Sequence, residues 1–321
     1  MTTLVTGATG QLGRLVVDRL IARGADPQSI VAGVRDTAKA ADLAERGVRV
    51  TRLDYDDQET IAPAFEGVDT VLLISGSEVG KRVPQHQAVI DGAVAAGVKK
   101  FAYTSAPKAT TTDLILAPEH KATEEAIVAS GLPAVILRNN WYTEGYAPDV
   151  ARAADTGEIA SSIGGGRIAS APRVDYADAA AAVLLEDGHI GEVYELGGDV
   201  AWTFDDLAAA ATEIVGRPVR YVALSDDEQR AALVAAGLDA DTAGFVTALN
   251  AGIRGGALAD TDGTLARIIG RPSTPLVEAL CASGSGPGSH CDDAATDDKP
   301  PEIRGSKSVA GAGLEPATSR L

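Results

Sequence analysis

Thr6-Gly7-Ala8-Thr9-Gly10-Gln11-Leu12-Gly13 decides the fold, because it joins two segments of different periodicity. Before it, Leu4-Val5 reads as a short strand. After it, Leu12, Leu15, Val16 and Leu20 recur at helical spacing until Gly24. Glycines let the chain turn sharply and bring its backbone close to a ligand. The helix that follows offers N–H groups without intrahelical partners and the positive end of its dipole. Gly7-x-x-Gly10-x-x-Gly13 in this strand-to-helix setting predicts a dinucleotide pyrophosphate site built from Gly7, Ala8, Thr9, Gly10, Gln11, Leu12 and Gly13. Three glycines without that setting would be a weak signal.

The pattern repeats outward from the loop. Ile30 to Val34 reads as a second strand, with Asp36 as N-cap of a helix that stops at Gly47. Val48 and Val50 begin a third strand, and Val71-Leu72-Leu73-Ile74 forms a fourth. Pro84 fits the first turn of the next helix, which ends near Gly97. Phe101–Thr104 and Ala134–Leu137 supply two more strands around a helix centred on Glu124. Pro63 should shorten or kink the stretch Gln58–Glu66. Strands this apolar, alternating with helices, predict a doubly wound parallel α/β sheet.

The expected organisation is a dinucleotide-binding domain over 1–140, its sheet completed by a return at about 168–198. Residues 141–280 are then mainly a smaller, interleaved α/β substrate or lid domain. The stretch 281–321, rich in Gly, Ser, Pro, Asp and Ala, reads as a disordered tail. The only two cysteines, Cys281 and Cys291, lie in that stretch, so no disulfide framework holds the fold. A formal net charge of −17 argues against a nucleic-acid partner, which needs a basic face. No signal peptide and no run of about eighteen apolar residues occurs, so the expectation is a cytoplasmic protein without a membrane partner. No metal site is expected. A homodimer is compatible with the sequence but not specified by it.

The end of the second strand chooses between cofactors. NAD-preferring sites place Asp or Glu there to accept from the ribose 2′-hydroxyl. Here the position is Arg35, whose guanidinium can bind a 2′-phosphate through paired charge-assisted bonds. The expected cofactor is therefore NADPH; the competing role for Arg35 is a surface pair with Asp36. Ser75-Gly76-Ser77, at the carboxyl end of the fourth strand, should line the same crevice. The Tyr-x-x-x-Lys pair that acidifies tyrosine in ketone-reducing short-chain dehydrogenases is missing, since none of the seven tyrosines has lysine four residues on. In its place stands Glu119-His120-Lys121-Ala122-Thr123-Glu124, where His120 or Lys121 is a weak candidate for a catalytic proton source.

With Ser77-Glu78-Val79-Gly80-Lys81-Arg82, Pro84-Gln85-His86 and Leu137-Arg138-Asn139-Asn140-Trp141-Tyr142 added to the loop, the chain resembles the NmrA-like, atypical short-chain dehydrogenase family, in particular its bacterial quinone-reducing members. Val193-Tyr194-Glu195-Leu196, Ala201-Trp202-Thr203 and Gly270-Arg271-Pro272 extend the likeness to about Leu280. The resemblance implies two domains, NADPH in the cleft between them, and two-electron reduction of a small-molecule quinone. It also implies cofactor contacts at Arg35, Ser75–Ser77, Asn139, Asn140, Trp141, Tyr142, Thr143, Glu144 and Arg173. Gly76 and Asn140 depart from the family pattern and bear on the nicotinamide side. The family also contains regulators, so a non-catalytic NADP-binding redox sensor is the alternative. A quinone accepts hydride readily, so a strong acid is not required for it.

Overall fold

The structure is a computed structural model and describes residues 1–283. Its main sheet contains β1 (Thr3–Thr6), β2 (Ile30–Val34), β3 (Arg49–Arg52), β4 (Thr70–Leu73), β5 (Lys100–Ser105), β6 (Ala134–Asn139) and β8 (Val193–Leu196). The order is β3-β2-β1-β4-β5-β6-β8, and every neighbouring pair is parallel. A second sheet pairs β7 (Glu158–Ser161) with β9 (Arg220–Ala223). β1, β2, β4 and β5 are buried along their whole length, which explains why, Lys100 apart, they carry no charged residue. The edge strands β3 and β8 are partly exposed and correspondingly more polar.

Helices α1 (Gln11–Ala22) and α7 (Arg173–Leu185) cover one face of the sheet. Val16, Val17 and Leu20 meet Ala177, Ala180, Ala181 and Leu184 there. The alanine run of α7 lets the two helices approach closely. On the other face lie α3 (Ile61–Ala64), α4 (Arg82–Ala96) and α5 (Ala117–Ser130), packed through Val89, Ile90, Ile127, Phe101 and Tyr103. Pro63 does shorten its helix: a 3₁₀ turn over Gln58–Thr60 leads into the four-residue α3. Similarly, the helix expected after Asp36 splits into a 3₁₀ turn, Thr37–Ala40, and the short α2 (Ala41–Glu45).

A third core unites α6 (Ala147–Thr156), α8 (Phe204–Val215), α10 (Ala240–Arg254), α12 (Leu276–Ser283) and the two-stranded sheet. At its centre the Tyr146 ring meets Trp202 and Phe204 edge-on at 5.0 and 5.7 Å. α9 (Asp226–Ala235) packs beside α10, while α11 (Thr264–Ile269) returns to α7. The chain therefore crosses between the large and small cores several times after Asn140. Leu280 is buried in the third core, so α12 continues to Ser283, three residues into the stretch read as tail. The rest of that stretch lies outside the described residues. No helix among the described residues is long and apolar enough to cross a membrane.

One charged side chain ties the layers together. Lys100, at the start of β5, is 4% exposed, and its Nζ donates to the carbonyls of Val183, Leu184 and Glu186 at 3.0, 3.3 and 2.5 Å. These are end-of-helix acceptors of α7 that have no intrahelical donor. A cation there also complements the negative end of the dipole. Lys100→Met keeps the apolar stem but leaves the carbonyls unpaired. It should lower stability by about 1–3 kcal/mol, read as a lower urea midpoint at unchanged slope; an unchanged midpoint would show that water replaces the amine without loss.

Candidate functional site

β1 has β2 on one side and β4 on the other, and their crossover helices lie on opposite faces. The sheet therefore opens a crevice at the carboxyl ends of β1 and β4, the place where such folds bind ligands. The glycine loop fills it. Gly7 takes φ +57°, and the Gly10 N–H donates to its carbonyl at 2.8 Å. A Cβ on Gly13 would lie 2.3 Å from that carbonyl oxygen and 2.8 Å from the Ala8 Cα, so only glycine allows α1 to pack this tightly on the loop. Gly10, at the N-cap, has no side chain to satisfy the first N–H groups of α1. They remain available for an anion.

Arg35 follows β2 directly and has a side chain 75% exposed. Its partner is Glu78 at 3.6 Å rather than Asp36, whose carboxylate caps Ala38. Beyond β4, the Ser75–Gly76 backbone is fixed by side chains from three elements. Ser75 N–H donates to Thr104 Oγ1 at 2.9 Å, and Gly76 N–H to His86 Nε2 at 3.0 Å. The Gly76 carbonyl accepts from Arg82 Nε at 2.7 Å, and Arg82 pairs with Glu119 at 3.1 Å. Thr123 donates its hydroxyl proton to the Glu119 carbonyl and so accepts from His86 Nδ1 at 2.9 Å. That assignment leaves Nε2 as the acceptor for Gly76. Arg82, His86 and Glu119 were not singled out as site residues from the sequence; the four-residue spacing of Arg82 and His86 on one helix was the available signal, and their burial appears only in the structure.

At the end of β6, Tyr142 lies under the Arg173 guanidinium, 4.5 Å from ring centre to Cζ. Glu144 Oε1 accepts from the Arg173 N–H at 2.8 Å, and Asn139 Nδ2 reaches the Tyr142 hydroxyl at 3.4 Å. Asn139 Oδ1, at the carboxyl end of β6, is buried without a hydrogen-bond partner. Asn140 and Thr143 have partners within the protein. Asn140 bridges Leu258 and Trp141, while Thr143 bonds Ser170, which also receives Trp202 Nε1. Those two side chains join the large core to the third one. Trp141 is half-buried against that third core.

The two proton-source candidates differ sharply. His120 is 6% exposed and bonded through Nδ1 to the Tyr103 hydroxyl at 2.8 Å. Burial, reinforced by Arg82, pushes its pKa down to about 3, so it is neutral at pH 7. Lys121 is exposed and lines a groove of about 600 Å³ with Thr110, Thr112, Leu114, Ile115 and Pro118. On the same helix, four residues after His120, stands Glu124. It accepts from Ser105 Oγ at 2.5 Å and from Arg138 at 2.9 and 2.6 Å, and Arg138 also holds Glu195. This network ties β5, α5, β6 and β8 together.

A family model described as NAD(P)H-binding matches residues 7–187. The chain belongs to this NAD(P)H-binding family. It is 46% identical over 276 residues to quinone oxidoreductase 2 of Escherichia coli (strain K12), spanning 86% of this chain and 96% of that protein. The solved NADPH complex of an NADPH-dependent quinone oxidoreductase from Escherichia coli gives a TM-score of 0.84 at 45% identity, covering 88% of this chain and 99% of that one. Triphenylmethane reductase of Citrobacter sp. with NADP(H) gives 0.82 at 37% identity, covering 88% and 100%. The resemblance seen in the loop and in the segments after β4 and β6 thus holds over most of the chain.

His86 and His120 also make the family fold sensitive to acid. Both are buried and held down to about 3 by desolvation, with Arg82 adding to it. Unfolded imidazoles take a proton near pH 6.5. Their contribution is therefore complete above pH 6.5 and is lost as pH falls toward about 3. Between pH 7 and 5 the loss should be roughly 2 kcal/mol per imidazole. Urea unfolding at the two pH values checks this, with His120→Gln expected to remove about half of the histidine-linked difference; an identical pH response in that variant would contradict it.

Proposed function

We propose that this protein is a cytosolic NADPH-dependent quinone oxidoreductase that works by positioning. The single observation that carries the reading is the crevice at β1 and β4, where a glycine cradle, uncapped helix N–H groups and Arg35 converge on a protein with no acidified tyrosine. The residues fit the cofactor: a Cβ would fill the cradle, and Asn139 Oδ1 is a buried acceptor awaiting a donor. Gly7, Ala8, Thr9, Gly10, Gln11, Leu12 and Gly13 would hold the pyrophosphate, and Arg35 the 2′-phosphate. Ser75, Gly76, Ser77, Asn139, Tyr142, Glu144 and Arg173 would surround the nicotinamide side, with Asn140, Trp141 and Thr143 supporting them from the junction with the third core. When bound, NADPH would supply a hydride, which carries both electrons of the reduction.

The chain's own part is geometric. His86 and Arg82 fix the Gly76 peptide at both its N–H and its carbonyl, so the wall after β4 is set before any ligand arrives. The groove beside Thr112 and Leu114 offers apolar surface with hydroxyls for a flat acceptor. Neutral His120 does not deliver a proton as an imidazolium at pH 7, and a quinone accepts hydride without a strong acid, so water can supply the protons for the reduced oxygens. Steady-state oxidation of NADPH by a simple benzoquinone tests the reading, with Arg35→Asp raising the NADPH KM tenfold or more and the NADH KM less. Bound cofactor with no turnover by any quinone would instead favour a redox sensor.

A further inference from the structure

β2 and β4 are not neighbours: β1 lies between them. Strands are spaced about 4.8 Å apart, so their carboxyl ends are separated by roughly 10 Å. Arg35 follows β2, and Glu78 lies on the segment that follows β4. Their ion pair at 3.6 Å must therefore reach over the carboxyl end of β1, where the Gly7–Gly13 loop sits. The two side chains bridge the crevice in which the proposed function places the dinucleotide.

We infer that Glu78 is the resident counter-ion of Arg35, and that the cofactor 2′-phosphate displaces it on binding. The exchange is chemically matched. Both groups are anions that use the guanidinium as donor, and Arg35 can pair fully with only one of them in this position. Glu78 can be released cheaply because it has a second cation: Lys81 lies 3.1 Å from its other carboxylate oxygen. That contact raises the Lys81 pKa, so the ammonium stays charged throughout the neutral range. The Arg35 and Glu78 side chains are 75% and 40% exposed, so the pair is weak enough to be exchanged.

Glu78 is thus a specificity-determining residue that acts against the cofactor carrying the phosphate. It holds the guanidinium before binding and repels the incoming anion. NADH, without the phosphate, does not compete for Arg35 and is less affected. This rests on Arg35 being the 2′-phosphate ligand, and the test separates the two ideas. Dissociation constants for NADPH and NADH are measured by titration calorimetry on the full-length protein, Glu78→Gln, Arg35→Ala and the double variant. Glu78→Gln should tighten NADPH by about three- to fivefold, the scale of an exposed ion pair, and change NADH by less than about twofold. The gain should vanish in the Arg35→Ala background. If Arg35→Ala weakens NADPH but Glu78→Gln leaves it unchanged, weakens it, or tightens both cofactors equally, the role of Glu78 is wrong. If Arg35→Ala does not weaken NADPH, the phosphate assignment fails and the inference falls with it.

Discussion

The close approach of α1 to the Gly7–Ala8 backbone is the constraint on which the site depends. At Gly13 there is room for a hydrogen and not for a methyl group, with the Gly7 carbonyl 2.3 Å from where a Cβ would stand. Tight contact places the uncapped end of α1 at the carboxyl edge of β1. Parallel neighbours on both sides of β1 then fix where its end lies relative to β2 and β4. Arg35 and the Ser75–Gly76 segment are delivered to the same crevice by that register. An anion site at a helix N-terminus thus becomes a site for an extended, phosphorylated ligand.

Around this crevice the polar groups divide into two classes. One class is internally satisfied: His86, Arg82, Glu119 and Thr123 hold the Gly76 peptide, and Glu124, Arg138 and Glu195 tie β5, α5, β6 and β8 together. The other class is not fully paired within the protein: the α1 N–H groups, Asn139 Oδ1 and the exposed Arg35. The first class is rigid and largely buried, and it keeps the second in place.

Most of the sheet was legible in the sequence because parallel strands buried on both faces read as largely apolar runs, and several helices end on a glycine. Gly97 and Gly216 end α4 and α8 in left-handed conformation, as helix-stop glycines should. The glycine loop was legible for the same reason: its turn and its contact with α1 depend on local sequence. Long-range contacts were not. The Arg35 partner is Glu78 rather than its neighbour Asp36, and the clamp on Gly76 joins residues from β4 to α5. His120 carries a ring that sequence could nominate as an acid, but only its burial against Tyr103 shows that it is neutral. The continuation of α12 to Ser283 depended on Leu280 entering a core made by distant segments.

The central claim is that the protein positions donor and acceptor and contributes no proton in the hydride step. Single-turnover quinone reduction measured with NADPH deuterated at the transferred position, and separately in D₂O, tests it most directly. A clear rate decrease with the deuterated cofactor and none from solvent is the expected result. A comparable decrease in D₂O, lost on replacing His120 or Lys121, would show that a protein acid acts in the step and would contradict the account.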